Sequence, residues 1–65
     1  MENKITLKAA RVSKDLTQAQ AAKDVGVSAT TIVNWETGKT EIPAGKFLQM
    51  CSLYGVSAND ILLPR

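Results

Sequence analysis

Residues 18–36, QAQAAKDVGVSATTIVNWE, decide how the chain folds. Thr17 stands just before the stretch and Gln20 three positions after it. In that pattern the hydroxyl caps the Gln20 amide and the glutamine side chain reaches back to the Thr17 amide, which starts a helix. Ala21, Ala22 and Val25 follow as an apolar stripe at helical spacing. Gly26 ends this helix, because glycine most readily takes the left-handed backbone just past a helix end. Val27 leads to Ser28, the cap of a second helix over 29–37 in which Ile32 and Trp35 face inward. Two short helices are therefore joined by a tight turn at Gly26, Val27 and Ser28. Ala22 is small enough to let them cross closely, and Ala21, Val25, Val27, Ile32 and Trp35 lock both onto a core. The second helix is left as a projecting rod.

On the N-terminal side the chain predicts a helix over 7–14 capped by Thr6, with Leu7 and Ala10 inward and Lys8 outward. Asp15 and Leu16 break it, since aspartate tolerates a left-handed turn better than most residues. On the C-terminal side Gly38 stops the 29–37 helix and residues 39–43 form a loop. Pro43 suits a first helical position. A fourth helix over 44–54 buries Phe47, Leu48, Met50, Cys51 and Leu53 to differing degrees and ends at Gly55. Ser57 caps a short fifth helix over 58–63 carrying Ile61 and Leu62, and Pro64 prevents its continuation. No strand is expected. The fold class is all-α, a compact bundle of four to five helices in a single domain over 1–65.

Composition narrows the function. A length of 65 residues fits one domain, and a 45% hydrophobic fraction excludes disorder. The longest apolar runs, such as Ile61-Leu62-Leu63, fall far short of the ~20 residues of a membrane span. The mixed polar start Met1-Glu2-Asn3-Lys4-Ile5-Thr6 does not read as a signal peptide. One cysteine, Cys51, and no histidine leave no metal set, and Cys51 reads as packing. The six acidic residues are scattered, no Gly-rich phosphate loop occurs, and the Ser and Thr residues occupy caps. Enzyme chemistry, a cofactor and a small-molecule ligand are therefore not expected, and a cytoplasmic location is. A net charge of +2 is too small to point to nucleic acid by itself.

The order and spacing of Gln18, Ala22, Gly26, Ile32, Trp35-Glu36, Gly38-Lys39 and Pro43 resemble the Cro/repressor-type helix-turn-helix family, also called the XRE family. Tyr54-Gly55-Val56-Ser57, followed by Asp60-Ile61-Leu62, is similar to the closing helices of that family. The likeness covers about 7–63. Leu7-Lys8-Ala9-Ala10-Arg11-Val12 and Leu16-Thr17-Gln18 are also similar to small regulators of phages and prophages of Gram-positive bacteria. The resemblance implies a lambda-repressor-like domain whose second and third helices, within about 17–37, form the helix-turn-helix. It further implies a transcriptional regulator, most simply a repressor, that binds double-stranded DNA. Such a protein would bind a palindromic operator as a homodimer on half-sites about one helical turn (34–36 Å) apart.

Carried onto this chain, the resemblance gives each residue a role. Ser28, Ala29 and Thr30, with Val33 and Asn34 one turn on, would meet base edges. Asn34 would pair with adenine, and the methyls of Ala29, Thr30 or Val33 would pack on thymine. Family members often carry Gln or Asn where Ala29 stands. Gln18, with the first-turn amides of its helix, would hold a phosphate, as would Lys39, Thr40 and Lys46. Glu41 occupies a place where a basic residue would serve DNA better. Arg11 and Glu36 match a family ion pair and would fix the motif to the first helix. A different class uses the same fold as an interaction module, in an antirepressor or an antitoxin. Ile61, Leu62 and Leu63 would then dock a partner or a second copy, although Ile61 and Leu62 are better suited to closing the core.

Overall fold

In the computed structural model, which describes residues 4–64, each helix begins and ends on local chemistry. Helix α1 is Leu7–Ser13, α2 is Gln18–Val25, α3 is Ala29–Thr37 and α4 is Ala44–Tyr54. Thr6 Oγ1 accepts from the Ala9 amide at 3.1 Å. The Gln20 amide donates to Thr17 Oγ1 at 3.0 Å, and the Thr17 amide donates to Gln20 Oε1 at 2.8 Å. Ser28 Oγ accepts from the Thr31 amide at 3.1 Å. These bonds satisfy amides that a helix start leaves without an intrahelical partner. At the other ends Gly26 and Gly38 take φ of 84° and 78°. Asp15 takes φ of 56° at the break after α1. The sequence-derived starts and stops of α2, α3 and α4 hold to the residue, and α1 ends one residue early with Lys14 as its cap.

Two expectations fail at α4. Pro43 lies outside the helix as its N-cap, with φ −58° and ψ 140°, and not in the first turn. Its carbonyl accepts the first bond, from the Phe47 amide at 2.9 Å, so the ring needs no place inside. Leu48 is 59% exposed rather than part of the core. The buried side of α4 is Met50, Cys51 and Tyr54 with half-buried Phe47, and one residue past Phe47 the helix has turned ~100° away from that side.

The predicted fifth helix is replaced by a 3₁₀ turn over Ala58–Asp60, and then by a strand. Strand β1 (Ile5–Thr6) pairs in parallel with β2 (Ile61–Leu62), with Ile5 opposite Ile61 and Thr6 opposite Leu62. Ser57 Oγ still accepts from the Asn59 amide, at 3.3 Å, but Ile61 turns extended, with φ −94° and ψ 128°, to pair with Ile5, and the helical run stops there. Ile61 is buried and Leu62 is 54% exposed, the alternation of a strand with one face covered. Ile61 thus closes the core as expected, and Leu62 does not. The expectation of a strandless chain is corrected, while the architecture remains mostly helical.

The core is Leu7, Ala10, Ala21, Ala22, Val25, Ile32, Trp35, Met50, Cys51, Tyr54 and Ile61. Tyr54 is its largest fully buried side chain. Ala21 and Ala22 lie buried on α2, which packs against α3 and α4, and Ala10 lies buried on α1, which packs against β1 and α4. Met1, Glu2 and Asn3, where a signal peptide was judged absent, lie outside the described residues. Among those described, no helix is long and apolar enough to cross a membrane.

The C-terminal tail rests on the end of α3. A Cβ built on Gly38 would lie 3.0 Å from Pro64 Cβ, whereas one on Gly26 would come no closer than 3.8 Å to Lys46 Nζ. Gly26→Ala should therefore lose about 1–2 kcal/mol, the left-handed penalty alone. Gly38→Ala should lose more, because Pro64 must also move. Urea denaturation followed by Trp35 fluorescence compares the two. Equal losses would mean that the tail does not rest on Gly38.

Candidate nucleic-acid interface

Helix α3 divides into two sides. Ile32 and Trp35 are buried. Across the helix, Ala29 and Thr30 are exposed and Val33 and Asn34 half-buried, forming one face because residues three and four apart are neighbours on a helix. The structure thus brings the predicted base-reading residues together, with one qualification. Ser28 is exposed, but its hydroxyl caps the helix and also bonds Thr31 Oγ1 at 2.9 Å. Thr37, on the same face, turns its hydroxyl back onto the Val33 carbonyl at 2.9 Å.

Behind this face α3 is anchored by charge. Arg11 Nε donates to Glu36 Oε2 at 2.7 Å and Arg11 Nη2 to Glu36 Oε1 at 3.3 Å. The two side chains are 8% and 3% exposed. Arg11 Nη1 also donates to the Leu16 carbonyl at 2.7 Å. The ion pair expected from the sequence is present, and it joins α1, the α1–α2 connection and α3.

The predicted phosphate contacts fare unevenly. Gln18 is half-buried and its Nε2 donates to Glu36 Oε1 at 3.2 Å, so one amide hydrogen is engaged and one remains. Lys39 and Thr40 are exposed in the loop after α3, and the Lys39 amide donates to the Asn34 carbonyl at 2.9 Å. Lys46 differs from expectation, for its Nζ donates to the Val25 carbonyl at 2.9 Å and the residue is half-buried. Its bond is to the end of α2. Among the described residues no group of three His, Cys, Asp or Glu side chains could hold a metal ion.

The sequence profile of the helix-turn-helix family matches residues 7–61, most of the chain. The chain belongs to the XRE-type helix-turn-helix family. No curated protein and no solved structure matches it. As a helix-turn-helix protein it is a DNA-binding domain, with α2 and α3 as the motif and Gly26 at its turn.

Beneath the motif of this helix-turn-helix protein lies a residue that sequence reasoning missed. Tyr54 is fully buried and its hydroxyl has no hydrogen-bond partner. Burial pushes its phenol up to about 12, the nearby Glu36 carboxylate adds to the rise, and Arg11 opposes it. Burial likewise raises the Cys51 thiol. An aromatic three residues after Cys51 on an apolar helix face was the available signal.

Two outcomes are expected. Arg11→Ala strands the Glu36 carboxylate and should lose about 3–5 kcal/mol in urea denaturation, as for a broken buried pair. An unchanged midpoint would remove the pair from the structural account. Tyr54→Phe should hold or raise stability at pH 7, because a buried hydroxyl lacking a partner costs about 1–3 kcal/mol. The variant should also lose a pH dependence. The unfolded phenol ionises near its ordinary 10 while the folded one holds its proton to about 12. The wild-type contribution is complete below the lower value and fades as pH rises between the two. Denaturation midpoints across that window, which fall for wild type and fall less for Tyr54→Phe, check this.

Proposed function

We propose that this protein is a sequence-specific transcriptional regulator, a repressor, that lays α3 in the major groove of duplex DNA. The observation that carries the reading is the outward face of Ala29, Thr30, Val33 and Asn34, set opposite the buried Ile32 and Trp35 on a helix anchored by Glu36. In this reading Asn34 and Thr30 supply hydrogen bonds to base edges, and Ala29, Thr30 and Val33 supply methyl contacts. Gln18 with the α2 amides, and Lys39 with the Thr40 amide, hold the sugar–phosphate backbone on either side. The protein binds as a homodimer on a palindromic operator, with half-sites about 34–36 Å apart. It works in the cytoplasm, without enzyme activity or cofactor, and its kin are regulators of phage and prophage type.

Leu62 and Leu63, 54% and 45% exposed, favour a second reading as an antirepressor or antitoxin module. A gel shift separates the two. A regulator shifts its operator with affinity falling steeply as salt rises, whereas a pure interaction module shifts no duplex even in dilute buffer.

Selection of bound sites from a random oligonucleotide pool should return a palindrome. Substituting Thr30 and Asn34 together by alanine should change the recovered bases, at about 1–3 kcal/mol for each lost base contact. Lys39→Ala should instead weaken all duplexes alike and lower the salt slope by about 0.9 per protomer, about 1.8 for the dimer. Recovery of the same site by the Thr30/Asn34 double variant would overturn the assignment of the reading face.

A further inference from the structure

Lys46 sits in the first turn of α4, yet its ammonium reaches across to α2. Nζ lies 2.9 Å from the carbonyl of Val25, the last residue of α2. That carbonyl is one of the four that a helix end leaves without an intrahelical donor. The next two amides, of Gly26 and Val27, both return to the Ala22 carbonyl, at 2.8 and 2.9 Å. The Gly26 amide shares a peptide unit with the Val25 carbonyl and cannot reach it, and no other backbone amide among the described residues donates to Val25. A Cβ on Gly26 would lie 3.8 Å from Nζ, so the ammonium rests against the turn itself. A cation at a helix C-terminus is also favoured by the helix dipole.

We propose that Lys46 is a positioning residue for DNA recognition. By capping α2 from α4 it fixes the turn at Gly26, and with it the angle at which α3 meets the duplex, without itself holding a phosphate. The inference rests on the DNA-reading role of α3 proposed above. It differs from a phosphate contact in a measurable way. A lost phosphate contact weakens every duplex and lowers the salt slope. A loosened turn lowers the preference for the correct site and leaves the slope alone.

The test uses the full chain with Lys46→Met, which keeps the apolar stem, and Lys46→Arg, which keeps a cationic donor. Two duplexes serve as probes, the site recovered by pool selection and a scrambled version of it. Lys46→Met should lower the ratio of the two affinities about threefold to tenfold, the scale of one helix-terminal charge, at unchanged salt slope, and Lys46→Arg should restore it. Without DNA, amide exchange at Gly26 and Val27 should quicken by a similar factor in Lys46→Met and recover in Lys46→Arg. A salt slope lowered by about 0.9 per protomer, about 1.8 for the dimer, with both duplexes weakened alike, would make Lys46 a phosphate contact and overturn the proposal. Unaltered exchange at both amides would overturn it as well. If the wild-type chain bound neither duplex, the DNA-reading role would fall, and the exchange measurement would still decide whether Lys46 holds the turn. An unfolded Lys46→Met beside a folded Lys46→Arg would support the capping role. Lys46→Gln, with a shorter neutral donor, would then carry the affinity comparison.

Discussion

The carboxylate of Glu36 is where the fold converges. It stands in the last turn of α3, the end at which the helix dipole disfavours an anion, and it is almost wholly withdrawn from water. Such a group is tolerable only if its lone pairs are met. Arg11 meets it in a two-pronged geometry, and Gln18 adds a third donor. The remaining reach of the guanidinium is taken by the Leu16 carbonyl. One carboxylate thus ties the middle of α1, the break before α2, the start of α2 and the end of α3. The turn at Gly26 alone would leave the two motif helices free to hinge. The charge cluster holds them from the side opposite the turn, so α3 is fixed at both ends.

The thinness of the core follows from this arrangement. Ala10, Ala21 and Ala22 are buried, and α2, which carries two of them, packs against α3 and α4. The larger buried side chains come from the elements around them, Leu7 from α1, Ile32 and Trp35 from α3, Met50 and Tyr54 from α4 and Ile61 from the closing strand. The β1–β2 pairing then ties the entry of α1 to the exit of the chain. A domain of this size buries a modest share of its surface, so each of these ties is a large part of what holds it together.

What the sequence made legible was local. Thr17 with Gln20, Ser28, Gly26 and Gly38 act on neighbours within four residues, and chemistry at that range fixes helix ends whatever the rest of the chain does. The α1–Glu36 link was legible only through the family resemblance, since nothing in the spacing of Arg11 and Glu36 brings them together. The closing ladder was illegible because strands of two residues leave no period to read, and their partners lie at opposite ends of the chain. Long side chains were the other difficulty. Gln18 and Lys46 each stand where a phosphate could be held, yet Lys46 has its ammonium on a protein acceptor and Gln18 has one of its two amide hydrogens on another. Which acceptor a flexible donor finds depends on tertiary placement, and residue type at a helix start does not encode it. Tyr54 was missed for a related reason, as its polar tip argues for exposure while its ring is buried.

The same hydrogen bonds limit how α3 can read bases in the proposed role. Ser28, Thr31 and Thr37 all spend their hydroxyls on helix α3 and its cap. Of the polar side chains on the outward face, Thr30 and Asn34 remain for base edges, with Ala29 and Val33 offering methyls beside them. Asparagine suits adenine and methyls suit thymine, so such a face discriminates best at A·T pairs. The electrostatic contribution is also slight, for the net charge is +2 and Glu41 lies in the loop beside Lys39. Non-specific attraction scales with phosphates neutralised, and this chain, at a net charge of +2, offers little excess positive charge to neutralise them. Preference for one site over bulk DNA then depends on a small number of well-placed contacts, and those contacts are only as good as the rigidity of α3. A sparse reading face and a densely bonded frame behind it are two sides of one physical arrangement.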